Sequence, residues 1–244
     1  MKVSIIIPAY NEEEFLPKCL KAIFSSDLPN DFEVIVVNNA STDKTERVAK
    51  NFKGVTVANE LKKGVTRARQ AGYLASSGDI LVFFDADSIV SKNWFNIAIQ
   101  KFQNDPQLIG VSGPYHFEKT SKVVAFLESI YNNIIMPVGE KIWKHIFRQG
   151  GIMLIGGNFA VRRKVLKKIG GFDTDLEFYG EDTNLTRRIA KIGKIEFSKE
   201  LIIGSSSRRF SGEGGLKLIV KYVINFFSEW IFKKPLNKIY QDFR

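Results

Sequence analysis

Ile80-Leu81-Val82-Phe83-Phe84-Asp85-Ala86-Asp87 is a continuous apolar run that ends in two carboxylates one residue apart. The run predicts a strand buried on both faces, with the Asp-x-Asp where that strand leaves the sheet. Two acids so placed repel each other unless a cation or a donor-rich ligand lies between them. They also suit a plain turn, because Asp85, Asp87 and Ser88 are all turn formers. The flanking sequence has to decide between these readings.

Upstream, strand and helix signals alternate. Strands are expected over Val3–Ile7 (stopped by Pro8), Phe32–Val37 and Val55–Val57. Helices are expected over Glu13–Phe24, Thr42–Phe52 (with Ser41 or Thr42 as N-cap) and Val65–Ser76. Such alternation implies a parallel sheet with right-handed crossovers. Downstream the pattern is less regular. Helices are expected over Asn93–Phe102, Val123–Phe147 (broken at Pro137-Val138-Gly139), Arg163–Ile169 and from Gly180-Glu181-Asp182 to about Ile192. Strands are expected near Val111–Pro114 and Phe159–Val161, and a last apolar helix over Leu216–Phe232. No repeat or long linker divides the chain, so a single α/β domain is expected.

The 244 residues are enough for an extensive core. Cys19 is the one cysteine, which excludes a disulfide framework and a cysteine-based zinc site. Met1-Lys2-Val3-Ser4 runs directly into the first strand without the pattern of a secretory signal, and a cytoplasmic location is expected. The net charge of +10 is unevenly spread. Residues 1–140 carry 15 Lys and Arg against 16 Asp and Glu, while residues 141–244 carry 21 against 10. A basic excess confined to one part suggests an anionic partner there, although scattered lysines commonly serve solubility.

In an open parallel sheet, ligands bind outside the carboxyl ends of the strands. The polar residues expected at those ends are Ala9-Tyr10-Asn11-Glu12, Asn38-Asn39-Ala40-Ser41-Thr42-Asp43 and Asp85-Ala86-Asp87. The glycine-rich phosphate loops of dinucleotide and P-loop sites are absent. In this order, and with Lys63-Gly64-Val65-Thr66-Arg67-Ala68-Arg69-Gln70-Ala71-Gly72, Gly156-Gly157-Asn158-Phe159-Ala160, Gly170-Gly171-Phe172-Asp173 and Gly180-Glu181-Asp182, the chain resembles the family 2 glycosyltransferases. The resemblance covers residues 3–188 and fades beyond about residue 210.

The resemblance implies a GT-A fold over residues 1–210, with a nucleotide-binding half (1–90) and an acceptor half (91–210). Residues 211–244 would form an amphipathic helical tail. It implies inverting transfer of a hexosyl group from a nucleotide-diphosphate sugar to an acceptor hydroxyl, in polysaccharide or glycan biosynthesis. Asp87 would ligate Mn²⁺ or Mg²⁺, with Asp85 contacting the metal or the ribose beside Ala86. Base and ribose would lie against Pro8, Ala9, Tyr10 and Glu12, with Asn39 and Asp43 nearby. The family's common Asp-Asp is Asn38-Asn39 here, which weakens the usual UDP assignment; UDP is still the expected nucleotide, with GDP or dTDP as alternatives. Asn39 can still accept a hydrogen bond from a base, and can also donate one. Lys63 and Arg69 would touch phosphate or base, or else are solvated helix charges.

Arg208 and Arg209 would fold back over the diphosphate, for which paired guanidinium forks are suited. Gly157, Asn158 and Glu181 would face the acceptor. Asp182 would be the catalytic base. It would also serve as the N-cap of the helix it opens, and the helix terminus would then lower its pKa. His116 and His145 match no ligand position of the family.

The Leu216–Phe232 segment places Lys217, Lys221, Asn225 and Ser228 on one narrow stripe of an otherwise apolar, aromatic-rich helix. That suits either an anionic membrane surface, bound peripherally at its cytoplasmic face, or packing on the domain. The stretch from Phe126 to Phe147, with Trp143, poses the same choice. A lipid-linked acceptor would fit the first. A nucleic-acid partner is not expected, because the aromatics sit in apolar helices rather than between arginines on an open sheet. A nucleotide-sugar-binding scaffold without catalysis is the remaining alternative, opposed by the intact Asp85, Asp87 and Asp182.

Overall fold

The structure is a computed structural model and describes residues 1–117, 122–146, 154–176, 180–206, 224–225 and 228. Arg208 and Arg209, the side chain of Trp143 and most of the 216–232 helix lie outside the described residues.

In chain order the elements are β1 (Val3–Ala9), α1 (Leu16–Phe24), β2 (Phe32–Asn39), α2 (Thr45–Lys50), β3 (Val55–Glu60), α3 (Val65–Ala75), β4 (Ile80–Phe84), β5 (Ile89–Val90) and α4 (Trp94–Asn104). There follow β6 (Leu108–Ser112), β7 (Tyr115–Phe117), α5 (Lys122–Ile130), a π-helical turn (Tyr131–Ile135) and α6 (Met136–Ile146). The chain continues through β8 (Asn158–Arg162), α7 (Arg163–Ile169), α8 (Glu181–Ile189), β9 (Lys194–Phe197) and β10 (Ile203–Ser205).

Seven strands form the main sheet in the order β3-β2-β1-β4-β8-β6-β9. All neighbours run parallel except β8, which is antiparallel to both β4 and β6. A second sheet pairs β5, β10 and β7. Strands β1, β2 and β4 are apolar on both sides because both sides are covered. Ile5, Ile7, Val34, Val36, Val82 and Phe84 pack in one core with α1, α2 and α4. Ile6, Ile35, Val37, Leu81 and Phe83 pack in another with α3, α7 and α8. Strand order reverses between β1 and β4, so the cleft at their carboxyl ends is the switch point where a ligand is received.

Pro8 does not stop β1, which continues to Ala9. Pairing with β4 ends at Ile6↔Phe83, so Pro8 has no β4 neighbour whose ladder bond it could break. Helix α2 starts at Thr45, not Thr42. Ser41 and Thr42 bond Asn11 instead: Asn11 N–H donates to Ser41 Oγ (3.1 Å) and Thr42 N–H donates to Asn11 Oδ1 (2.8 Å). The long helix is not broken at Pro137. A π turn just ahead of it widens the helix by one residue, which accommodates the missing proline donor without a break.

The amino end of the sheet is held by Glu33, which accepts hydrogen bonds from Ser4 Oγ (2.6 Å), Ser77 N–H (2.7 Å) and Ser77 Oγ (3.0 Å). Lys2 Nζ lies 3.4 Å from its other oxygen. Burial alone would raise the Glu33 pKa, but these donors hold it at about 2, below its ordinary 4.5. A lowered carboxyl pKa stabilises the fold above its unfolded-state value, and that gain is lost as pH falls toward 2. Glu33→Gln is expected to cost about 1–2 kcal/mol at pH 7, a difference that shrinks as pH falls from about 5 to 2. Urea unfolding of both proteins across that range checks it.

Candidate active site

Each edge of the cleft is built by a strand end. After β1 and β2 the chain turns through Asn11 (φ 50°) and Ala40 (φ 56°), the two non-glycine residues with positive φ among those described. Strain of this kind gathers at functional sites and persists where surrounding bonds enforce it. Here the bonds are those between Asn11 and Ser41-Thr42, with Asp43 beside them. Asp43 accepts from Thr45 N–H (2.9 Å) and Glu13 N–H (3.1 Å), which more than offsets burial and lowers its pKa. Glu12 is buried, and its N–H donates to Thr45 Oγ1 (2.7 Å). Asp43 and Glu12 thus fix the rim on which Pro8, Ala9 and Tyr10 stand.

Asn39 is buried, and its side chain closes the loop that follows β3. Oδ1 accepts from Gly64 N–H (2.8 Å), while Nδ2 donates to Lys62 O (2.8 Å) and Glu60 O (3.3 Å). Its donors are spent, leaving one lone pair of Oδ1 for a base. The loop so anchored sets Lys63 Nζ 3.8 Å from the centre of the Tyr10 ring, a cation–π contact on a face expected to meet the base.

After β4, Ala86 is buried while Asp85 and Asp87 are partly exposed. Oxygen donors alone suit Mg²⁺ or Mn²⁺. No group of three or more His, Cys, Asp or Glu forms a metal site among the described residues, so diphosphate and water oxygens would complete the shell. The residues present fit such a cation.

The loop before β8 joins this side of the cleft to the other. Gly157 has φ 80°, and a Cβ there would overlap both Asp85 and the Tyr115 hydroxyl. Gly156 N–H donates to Asp182 Oδ2 (3.4 Å), and Tyr115 Oη donates to Gly156 O and lies 3.3 Å from Asp85 Oδ2. Asn158, expected to face an acceptor, is fully buried. Its amide donates to Leu201 O (2.8 Å) and Pro114 O (3.1 Å) and accepts from Trp94 Nε1–H (3.0 Å). It holds the sheets together instead.

Arg69 is no solvated charge: it is 2% exposed. Its guanidinium lies 3.4 Å from Asp85 Oδ1 and 3.4 Å from Glu181 Oε1, and 5.9 Å from the Phe159 ring centre. Burial alone would lower its pKa, but Asp85 and Glu181 outweigh burial and raise it. One cation therefore bridges Asp85 and Glu181.

Helix α8 is capped by Gly180 in the left-handed region (φ 83°), not by Asp182, which sits in the first turn. Asp182 Oδ1 accepts from Thr183 N–H (2.7 Å). The expected lowering of its pKa is reversed. Burial raises it, and the bonds from Thr183 and Gly156 and the charge of Arg69 offset that only in part. Glu181 is pushed up to about 8 by burial and by Asp182, against the pull of Arg69. Burial thus raises both acids of the pair, and Arg69 offsets that only in part.

Tyr115 and Tyr131 went unread in the sequence. Tyr115 follows the Ser112-Gly113-Pro114 strand end, where a polar aromatic could have been flagged. Tyr131, whose hydroxyl is raised in pKa by burial and by Asp182, carries no comparable signal.

The mixed, mostly parallel sheet flanked by helices is the GT-A fold expected from the sequence. The model of glycosyl transferase family 2 matches residues 4–170, and the chain belongs to that family as a glycosyltransferase. It is 30% identical over 205 residues to the probable glycosyltransferase YdaM of Bacillus subtilis, covering 79% of this chain and 47% of that protein. It is 25% identical over 234 residues to the dolichyl N-acetyl-alpha-D-glucosaminyl phosphate 3-beta-D-2,3-diacetamido-2,3-dideoxy-beta-D-glucuronosyltransferase of Methanococcus voltae, covering 90% of this chain and 71% of that one. Its fold matches the mannosyltransferase PcManGT of Pyrobaculum calidifontis, solved with GDP-Man and Mn²⁺, with TM-score 0.74 and 23% identity over 94% of this chain and 64% of that one. The chain thus spans about half the length of the first relative and about two thirds of the other two. No helix among the described residues is long and apolar enough to cross a membrane.

Proposed function

We propose that the chain is a metal-dependent, inverting glycosyltransferase that passes a hexosyl group from a nucleotide-diphosphate sugar to a hydroxyl of a glycan or lipid-linked acceptor. The observation that carries this is the bridge from Asp85 through Arg69 to Glu181 beside Asp182. It holds a donor-side acid and a base on opposite walls of one cleft. The nucleoside lies against Pro8 to Tyr10 and the Asn39 loop, with UDP expected and GDP or dTDP as alternatives. Asp85 and Asp87 hold the divalent cation, which when bound neutralises charge on the diphosphate. The acceptor hydroxyl attacks the anomeric carbon from the face opposite the diphosphate, and Asp182 takes its proton. The new glycosidic bond forms as the bond to the diphosphate oxygen breaks, and its electron pair leaves with the nucleoside diphosphate. Glu181, paired with Arg69, stands beside the base.

A thermal-shift screen of UDP-, GDP- and dTDP-sugars, with and without Mn²⁺ or Mg²⁺, tests the donor half. One nucleotide is expected to raise the midpoint by about 5–10 °C at a hundredfold excess over Kd, and only with metal. A shift indifferent to metal in every case would overturn the cation assignment. No shift with any sugar nucleotide would overturn the donor class.

A further inference from the structure

We infer that the outer face of the α5–π turn–α6 helix docks on an anionic phospholipid bilayer, and so presents a lipid-linked acceptor to the cleft. This rests on the transferase reading above. The helix has two unlike faces. Inward, Met136 is 3% exposed and packs with Ile155 and Phe197, Tyr131 packs beside them, and Asn132 Nδ2 donates to Tyr115 O (3.2 Å). That face touches the wall that holds Asp85. Outward, Phe126 is 65%, Ile134 57%, Ile135 53% and Val138 49% exposed.

Phe126, Ile134 and Val138 recur at spacings of eight and four, which keeps them on neighbouring turns of one side. Single exposed apolar residues are ordinary, but four on one helix form a patch that water disfavours. Of residues 216–232 three are described: Ile224 is 42% exposed while Asn225 and Ser228 are buried.

The charge identifies the occupant. Lys199 Nζ sits on the π turn through Asn133 Oδ1 (3.2 Å), and Lys141 is exposed on α6. Anionic headgroups complement these two lysines beside the apolar residues, whereas a second copy carrying the same +10 would be repelled. An apolar face with basic flanks fits a helix lying in the interface.

The test is co-sedimentation of the full chain with phosphatidylcholine vesicles with and without phosphatidylglycerol. The comparison protein is the triple variant Ile134→Ser, Ile135→Ser, Val138→Ser. Wild type is expected to bind the anionic vesicles and not the neutral ones. The triple variant is expected to bind at least about tenfold more weakly with its donor-induced thermal shift unchanged. Wild type that ignores anionic vesicles, or a triple variant that binds as wild type does, overturns the docking. So does a wild-type dimer that the variant converts to monomer without any vesicle binding. In each of these cases an intact metal-dependent donor shift leaves the transferase reading standing, and its loss from wild type removes that reading whatever the vesicles show.

Discussion

Asp182→Asn is expected to lower the transfer rate by about 10²–10⁴-fold while leaving metal-dependent donor binding intact. The substitution keeps the side chain's shape and an oxygen for the Thr183 N–H, and removes only the capacity to take a proton. Single-turnover transfer and donor calorimetry on the same preparations separate the two effects. The wild-type rate should rise with pH as Asp182 ionises, and the acid limb should lie above the ordinary aspartate range because burial raises its pKa. The variant should lose that limb. Glu181 is not expected to substitute, because its carboxyl is engaged by Arg69. A variant that transfers at the wild-type rate would move the base away from Asp182.

The parts of this site that could be read from the sequence are those that depend on neighbours in the chain. The run Ile80–Phe84 alone defines β4 and puts Asp85 and Asp87 at its end, and the Arg163–Ile169 helix falls on its expected bounds. Local periodicity and strand order suffice for both. Bonds across long separations could not be read. Asn39 looked like a base reader, but its partners are 21 to 25 residues away in a loop whose path the sequence does not dictate. Asn158 sits in a motif associated with acceptors, yet its amide joins carbonyls 43 and 44 residues distant. The direction of the Asp182 pKa was missed for a related reason. A helix start is visible in the sequence, while the burial that outweighs it comes from the Gly156 loop and the π turn folding over it. Pro137 misled because the compensating π turn lies ahead of the proline and leaves no mark in the pattern.

Arg69 shows most clearly what burial changes, and Arg69→Met is expected to cost about 3–5 kcal/mol of stability. On the surface such a substitution would be close to neutral. Here the guanidinium is enclosed by Asp85, Glu181 and the Phe159 ring, with Asp182 near enough to raise its pKa. Removing the cation leaves buried Glu181 without its partner and facing the partly exposed Asp85. The unfolding midpoint should fall by roughly 6–20 °C for a domain of this size. Arg69→Lys should recover part of that loss but not all, because an ammonium cannot reach both walls with a planar fork. A charge bridge makes a further demand that packing does not. Above about pH 8, where Glu181 is ionised, Glu181→Gln should destabilise the wild type, yet restore stability in the Arg69→Met background by relieving the repulsion left behind. Additive costs in that double-mutant cycle would mean that Arg69 acts by filling space. A sign reversal would mean that its charge holds the donor side and the acceptor side of the cleft in one frame.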